Sequence, residues 1–314
     1  MKPLAMTQGK CYPRPAMTTY TQIAANKRRS IILIVVFIVI IIGLGYVFSQ
    51  AYQSGPGAVV IAVLFSLGMT LIGYYNGDRV AIWTSGAVEV TKEQNPYLVR
   101  IIENLCITAG LPMPRVYVMN DPAINAFATG RDPQHASIVV TNGALEKLEN
   151  EELEGVLAHE LSHVGNYDVR FMMLIAVLVG IISLLAHWFI RFSFFGSRRS
   201  RDDKSGVGMA FMLVGIVLSI LAPIAAVLIQ LAVSRKREYL ADASGAQLTR
   251  YPEGLARALE KIEQENAAIE HPTNATAHLY IANPFGAING KGLSRMFSTH
   301  PPLEERIKIL RSMA

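Results

Sequence analysis

One short stretch of the chain has residue types and spacing that could bind a metal ion and activate water. It reads His159-Glu160-Leu161-Ser162-His163, a pattern that chance would produce about 0.01 times in a chain of this composition. Histidines four residues apart share one face of an α-helix, so both imidazoles could bind one zinc ion at ~2.0–2.1 Å. Glu160 would lie about 100° round the helix from His159, where it could accept a proton from water rather than bind the metal. The alternative is a pair of surface histidines on a helix.

A catalytic zinc site needs a third protein ligand. None of the other histidines follows the motif at the short spacing of three-histidine zinc sites. They are His135, His187, His271, His278 and His300. A carboxylate is the other option, and Glu238 and Asp242 lie four residues apart on one predicted helix face. One of the two could bind zinc while the other accepts the N–H of a ligating imidazole. The spacing does not choose between them, and a charged face turned to solvent is the alternative for both.

The elements that must position these residues are predicted from caps and from apolar periodicity. A helix is predicted over residues 93–109, because an Asn-Pro pair opens it and a Gly-Leu-Pro sequence stops it. Alternating apolar residues predict strands over 115–119 and 136–141. Asn150, followed by two glutamates, predicts the N-cap of the helix that carries the metal motif.

The composition separates this chain from an ordinary soluble protein. Apolar residues make up 51% and charged residues 17%, with a mean hydropathy of +0.32, whereas about a quarter of residues are usually charged. Four apolar runs approach or reach the ~20 residues that a bilayer requires. They are Ile31–Phe48, Ala58–Tyr75, Phe171–Ile190 and Val207–Val233. A secretory signal is the alternative for the first run, and buried helices of a soluble domain are the alternative for the last two.

The basic residues fit a membrane better than a nucleic acid. Lys and Arg number 29 against 24 Asp and Glu, and they cluster at 27–29, 198–201 and 235–237, each beside an apolar run. We therefore expect a lipid bilayer as a partner and no nucleic acid. Because basic residues precede the first run and the loop 49–57 has none, we expect the N-terminus and the catalytic segments in the cytoplasm. The basic loop between the third and fourth runs opposes this, so whether that hairpin crosses the bilayer stays open.

These runs divide the chain into five segments. We predict a disordered cytoplasmic N-terminus (1–30), a two-helix transmembrane hairpin (31–75), a first catalytic part with the metal motif (76–170), a second apolar helical hairpin (171–233) and a second catalytic part with the third ligand (234–314). Two cysteines, Cys11 and Cys106, cannot form a disulfide framework and fit a reducing compartment. Asp168 is predicted to be a helix cap rather than a ligand, and Arg306 and Cys106 are predicted to be structural.

The order of the motifs resembles the HtpX family of membrane-integral zinc metallopeptidases, relatives of the CAAX prenyl endopeptidases. The resemblance covers roughly residues 30–314. It rests on two N-terminal apolar runs, Asn125–Gly130, Ala158–His163, the later apolar hairpin, Ser234–Asp242 and Thr299–Pro301. It implies a fold of membrane α-helices plus an α+β gluzincin catalytic domain, mostly α with a small β-sheet.

The resemblance also implies residue roles. It implies Glu238 as the third ligand of one zinc ion per chain and Asp242 as the partner of a ligating imidazole. It implies His300 as a donor to the oxyanion of the tetrahedral intermediate, although a helix start would explain this residue equally well. It implies Asn125-Ala126-Phe127 as an edge strand whose backbone holds an extended substrate, with an ordinary turn as the alternative.

For function, the resemblance implies proteolysis of misfolded or damaged membrane proteins on the cytoplasmic side of a bacterial inner membrane, with other membrane proteases as further partners. One alternative is a sequence-selective processing protease of the prenyl endopeptidase type, for whose lipid-accepting chamber four spans are few. The other is an inactive membrane scaffold. The intact set of His159, Glu160, His163 and Glu238 argues against a scaffold, because an inactive protein has no chemical need for all four.

Overall fold

The structure, a computed structural model, describes most of the chain, including the whole segment around the metal motif. The described residues are 19–52, 57–175, 177–178, 181, 217, 235–265, 267–270, 277, 279–284 and 301–313. Most of the predicted second apolar hairpin, 171–233, lies outside the described residues, and so does His300.

Two long helices precede the segment that carries the metal motif. Helix α1 spans Thr19–Tyr52 and helix α2 spans Gly57–Ser85, and the two pack against each other. The structure differs here from the predicted disordered segment 1–30, because residues 19–30 are helical. Asn26 and Ser30 in this stretch are buried, so tertiary packing orders a segment whose composition alone does not predict a helix. Over the residues that the structure describes, no helix combines the length and the apolar character of a membrane span.

The predicted helix over 93–109 is confirmed as α3, which spans Pro96–Ala109. The Asn95 side chain accepts the backbone N–H of Leu98 at 3.1 Å and so caps the first turn. Gly110 ends the helix in the left-handed conformation, with φ of 65°, which a residue with a Cβ adopts only at a cost.

Four strands form one mixed sheet in the order β1-β2-β4-β3. Their bounds are Val88–Glu89 for β1, Arg115–Met119 for β2, Ala126–Gly130 for β3 and Ala136–Thr141 for β4. Strands β2 and β4 have the predicted bounds and run parallel, and the other two pairs are antiparallel. Strand β3 therefore lies at one edge of this sheet, connected to β4 by a 3₁₀ turn, Pro133–His135.

Five more helices follow the first three. They are α4 (Asn142–Lys147), α5 (Asn150–Gly165), α6 (Arg235–Thr249), α7 (Pro252–Glu265) and α8 (Leu303–Arg311), and a further helical segment covers 168–175. Helices α6 and α7 pack against α5. Helix α5 carries the metal motif. Its N-cap is Glu149 rather than the predicted Asn150, because the Glu152 carboxylate accepts the Glu149 N–H at 2.8 Å, as in a capping box.

Helix α5 lies in the middle of the main hydrophobic core. Leu157 and Leu161 are fully buried and share this core with Ile138 of the sheet and with helix α7. A Cβ at Gly155 would lie 2.6 Å from the backbone nitrogen of Leu255, so the glycine lets α7 cross α5 closely. A mostly helical domain with a small mixed sheet confirms this part of the predicted fold class. Its core thus holds the predicted metal motif on a buried helix.

A second apolar cluster joins the N-terminal helices to this domain. Leu33 and Phe37 of α1 belong to it together with Phe171 and Leu174 of the segment 168–175. A Cβ at Gly77 of α2 would lie 2.9 Å from Met173 Cγ, which shows how closely that helix approaches the same segment. The N-terminal helices are thus packed directly onto the chain that follows the metal motif.

Candidate metal centre

The structure brings together the three residues predicted as metal ligands. His159 and His163 on α5 and Glu238 on α6 are all buried. The two Nε2 atoms lie 3.2 Å apart, and the Glu238 carboxylate oxygens lie 3.7 Å from His159 Nε2 and 3.5 Å from His163 Nε2. Ligand atoms at the corners of a tetrahedral zinc site, each ~2.0–2.1 Å from the ion, would lie about 3.3–3.4 Å apart. The separations and the donor types therefore fit a zinc ion.

A close helix crossing brings the carboxylate to the histidines. A Cβ at Gly245 of α6 would lie 3.0 Å from the backbone nitrogen of His159. Such a contact is tighter than side chains normally allow, so the glycine lets α6 approach α5. Glu238 and Asp242 stand on the preceding two turns of α6, both buried and both turned towards the motif.

His159 is oriented by an ion pair behind it. Its Nδ1 lies 2.9 Å from Asp242 Oδ1, and the Arg306 guanidinium donates to both Asp242 oxygens at 2.9 and 2.7 Å. Burial would raise the pKa of Asp242, but the charge of Arg306 and the hydrogen bonds from Arg306 and His159 outweigh it and lower the pKa to about 2. An ionised Asp242 holds the proton of His159 on Nδ1 and leaves the Nε2 lone pair for the metal.

His163 has a carboxylate partner that sequence reasoning missed. Its Nδ1 lies 3.1 Å from Asp168 Oδ2, and Asp168 is buried at the start of the segment 168–175. The predicted role of Asp168, a helix cap, omitted this contact with the imidazole. Burial would lower the pKa of His163, but the Asp168 hydrogen bond and the Glu238 charge raise it to about 9. A metal ion must therefore displace a proton from His163 at neutral pH.

Glu160 lies beside the ligand set. It is buried, and the backbone of Ala128 on β3 lies close enough to its carboxyl group to favour the ionised form and lower the pKa. Burial raises the pKa of Glu160 to about 8, with nearby His163 acting in the opposite direction and Glu238 adding to the rise. A carboxyl group with a pKa near neutrality is suited both to accept and to release a proton.

The predicted substrate edge is at the sheet margin, but part of it is already paired. The Thr141 N–H donates to Asn125 O at 3.1 Å, so alternation turns the backbone groups of Ala126 and Ala128 away from β4. Ile281 N–H donates to Ala126 O at 3.0 Å, and Tyr280 pairs with Phe127. Part of the predicted substrate edge is thus occupied by the chain itself, and the substrate role of Asn125-Ala126-Phe127 stays a prediction. Residues 279–281 are apolar and buried, and this long-range pairing has no local sequence signal.

The structure also describes two residues that were predicted to be structural, Arg306 and Cys106. Arg306, predicted to be structural, is fully buried and touches the candidate site through Asp242. Cys106 is buried, and burial raises the pKa of its thiol to about 11, so it is not a nucleophile near neutral pH. His300 lies outside the described residues, so its predicted role stays a prediction.

Comparison with known proteins gives consistent matches. The profile of Peptidase family M48 matches residues 92–314. "Protease HtpX homolog" of Dictyoglomus thermophilum is 46% identical over 297 residues, covering 94% of this chain and 95% of that protein. The proteins with the same description from Lactobacillus helveticus (46%, covering 94% and 99%) and Caldanaerobacter subterraneus (43%, covering 94% and 98%) are similar over the same extent.

A solved structure shares the fold. Ste24p of S. mikatae superposes with a TM-score of 0.53 at 22% sequence identity. The match covers 85% of this chain, which spans only 61% of the length of that one. At this identity the likeness concerns the fold alone.

Proposed function

Because this chain belongs to peptidase family M48 and to its HtpX proteases, it is a metalloprotease, and we propose that it is a zinc-dependent endoprotease with one zinc ion per chain. We propose further that it degrades misfolded or damaged membrane proteins on the cytoplasmic side of a bacterial inner membrane. One observation carries the proposal: the buried set of His159, His163 and Glu238, with Glu160 beside it.

Each residue of the proposed active site has a separate chemical role. A zinc ion held by His159, His163 and Glu238 would act as a Lewis acid and would lower the pKa of water. Glu160 accepts the proton of the attacking water at its carboxylate and passes it to the leaving amine, a use that its raised pKa supports. His300 is the proposed donor to the oxyanion, which rests on its place in the Thr299-His300-Pro301 sequence.

An extended peptide is proposed to add to the outer edge of β3. The backbone of Ala128 contacts Glu160, so the part from Ala128 to Gly130 adjoins the proposed base. Pairing with main-chain groups supplies affinity without reading side chains, which suits a protease of many substrates. Further along the strand, Ala126 is paired with Ile281, so a peptide reaches Asn125-Ala126-Phe127 by displacing residues 279–281.

The N-terminal helices support a place in the membrane. Large apolar side chains are exposed along both, for example Ile31 (63%) and Val39 (62%) on α1 and Ile61 (69%) and Leu64 (65%) on α2. Water-soluble surfaces rarely expose apolar residues so continuously, whereas lipid would cover them. The basic residues 27–29 ahead of the first apolar run support a cytoplasmic N-terminus. Membrane proteins as substrates, and other membrane proteases as partners, belong to the same proposal.

The decisive experiment compares Glu160→Gln with the wild type. Both are purified in detergent, their zinc content is measured by elemental analysis, and the cleavage of casein and of a model membrane protein is followed. We expect Glu160→Gln to keep one zinc per chain and to lose cleavage by about 10²–10⁴-fold, the usual contribution of a general base. Glu151→Gln is the matched control, since Glu151 is exposed on the same helix. It should cleave like the wild type.

The outcomes separate the alternatives. Near-normal cleavage by Glu160→Gln, with contaminating protease excluded, would overturn the role of Glu160. A wild type that holds no zinc would favour a scaffold, and cleavage of prenylated peptides at one position only would favour a processing protease. Cut sites mapped on the membrane substrate in cells should fall in its cytoplasmic loops, and cuts confined to the opposite side would contradict the proposed orientation.

A further inference from the structure

The N-terminal helix α1 reaches the metal centre through one polar side chain. Asn26 is fully buried. Its Nδ2 donates to Asp168 Oδ1 at 2.7 Å and to the backbone carbonyl of Asn166 at 3.0 Å. The other oxygen of Asp168 accepts from His163 Nδ1 at 3.1 Å. One carboxylate thus connects a side chain of α1 with a candidate metal ligand.

The chemistry of this position requires an amide. Asp168 and the Asn166 carbonyl are both acceptors, and an asparagine amide offers two N–H donors from one nitrogen. Its orientation follows from its neighbours, because a flipped amide would turn its oxygen towards two other acceptors. A carboxylate at position 26 would repel Asp168. An apolar residue at position 26 would leave a buried oxygen of Asp168 without the hydrogen bond that Asn26 donates.

A second contact fixes the same turn. Lys27 Nζ, the next residue of α1, lies 4.4 Å from the centre of the Tyr167 ring. Tyr167 stands between Asn166 and Asp168, so α1 contacts three successive residues of this turn, 166–168. The family profile begins at residue 92, so Asn26 lies outside the matched region.

We propose that Asn26 is a positioning residue of the metal centre, which holds the Asp168 carboxylate so that it orients His163. This inference rests on the proposed zinc site. Helix α1 then contributes to the metal centre as well as to the proposed membrane anchor. Without α1, the catalytic domain keeps His163 and Asp168 but lacks the Asn26 amide that aligns them. Partners of ligating histidines typically contribute 10–100-fold to metal affinity, and we expect about tenfold for Asn26, one contact further away.

The test measures zinc affinity of the full chain in detergent by competition with a chelator. Asn26→Leu should weaken zinc binding about tenfold and should alter the visible absorption spectrum of the Co²⁺-loaded protein, because the imidazole orientation changes. In an Asp168→Asn background, Asn26→Leu should have no further effect, since its action passes through that carboxylate. Leu33→Ala is the matched control: Leu33 is a buried α1 residue outside this hydrogen-bonded chain. It should lower stability without changing zinc affinity.

Two outcomes would overturn the inference. One is unchanged zinc affinity in Asn26→Leu. The other is an equal loss in the presence and absence of the Asp168 carboxylate. If Asn26→Leu does not fold, Asn26→Ser, which keeps a shorter donor, replaces it and should give a smaller loss of the same kind. Failure of the proposed zinc protease is seen separately, as a wild type without stoichiometric zinc or an active Glu160→Gln variant.

Discussion

On one side of the metal centre, the His159 imidazole contacts the Asp242 carboxylate, and the guanidinium of Arg306 donates hydrogen bonds to both oxygens of Asp242. On the other side, the His163 imidazole contacts one oxygen of Asp168, and the neutral amide of Asn26 donates a hydrogen bond to the second. The two imidazoles have the same kind of partner at 2.9 and 3.1 Å. They differ in the group that donates to that partner at hydrogen-bond distance. It is the charged guanidinium of Arg306 for Asp242 and the neutral amide of Asn26 for Asp168, whose closest charge, Arg237, lies 3.6 Å away.

This difference separates two tasks that a supporting residue can perform. Arg306 compensates a buried negative charge, so it contributes to the stability of the fold as well as to the direction of Asp242. Asn26 is neutral and supplies direction only, and the charge nearest to Asp168 is that of Arg237, whose Nη1 lies 3.6 Å from Oδ1. We therefore expect the Arg306 side to show its loss mainly in stability and the Asn26 side mainly in metal affinity.

The largest effect should come from Arg306→Met. It removes the guanidinium and leaves the buried Asp242 carboxylate without its charge partner, which typically costs about 3–5 kcal/mol. The measurement is the free energy of unfolding of the metal-free protein, from denaturant titration in detergent. The double variant Arg306→Met/Asp242→Asn should recover part of the loss, because the Asp242 charge is then removed together with its partner. A double variant as unstable as the single one would assign the loss to the other neighbours of Arg306, the Ile281 carbonyl and the Glu238 carboxylate.

The two sides also differ in how far the sequence predicts them. Spacing makes Asp242 a candidate, because residues four apart on a helix share a face and Asp242 therefore lies beside Glu238. The family resemblance then predicts which of the two contacts an imidazole. Asp168 follows His163 by only five residues, but it lies past a turn in which Tyr167 has a positive φ of 59°, so helical periodicity does not bring it to the imidazole. Spacing predicts contacts within a helix and does not extend past such a turn.

Long-range contacts account for the other differences between prediction and structure. Asn26 and Asp168 are 142 residues apart, and Arg306 and Asp242 are 64 apart. The pairing of Ile281 with Ala126 is of the same kind. In contrast, α3, β2 and β4 match their predicted positions, since caps and alternation are local. The candidate histidine ligands and the candidate base were thus predictable from a local motif, and Glu238 was chosen as the third ligand through the family resemblance. Of the groups that contact them, Asn26 and Arg306 became apparent only from the fold.

The next effect is a difference in zinc affinity between Asp242→Asn and Asp168→Asn. Each replaces the partner carboxylate of one imidazole and should weaken zinc binding by about 10–100-fold. Asp242→Asn should be the more severe, because Arg306 is hydrogen-bonded to both Asp242 oxygens at 2.9 and 2.7 Å, whereas the charged neighbour of Asp168, Arg237, lies 3.6 Å away. Chelator competition at matched free zinc gives both values.

Glu238→Gln is the reference for that measurement, since it removes a proposed ligand and should empty the site. Equal losses in the two asparagine variants would show that the charge behind the carboxylate does not matter. A site emptied by Asp242→Asn but loaded in Glu238→Gln would exchange the roles proposed for these two residues. A site loaded and active in both would place the third ligand elsewhere, and His300 would be tested first.

The smallest effect should come from Tyr167, the residue that turns the chain between His163 and Asp168. A left-handed conformation costs a non-glycine residue about 1–2 kcal/mol, and Tyr167→Gly removes that strain. It also removes the ring, whose centre lies 4.4 Å from Lys27 Nζ and 5.0 Å from the guanidinium carbon of Arg170, contacts worth about 0.5–1 kcal/mol each at exposed sites. The two changes nearly offset, so the free energy of unfolding should stay within about 1 kcal/mol of wild type. Tyr167→Ala loses the ring but keeps the strain and should be less stable than Tyr167→Gly.

Both Tyr167 variants should bind zinc like the wild type, because the Asp168 carboxylate contacts His163 without the ring. A loss of zinc affinity in Tyr167→Gly that equals the loss in Asp168→Asn would mean that the stiffness of this turn, rather than the hydrogen bond from Asn26, holds Asp168 in place.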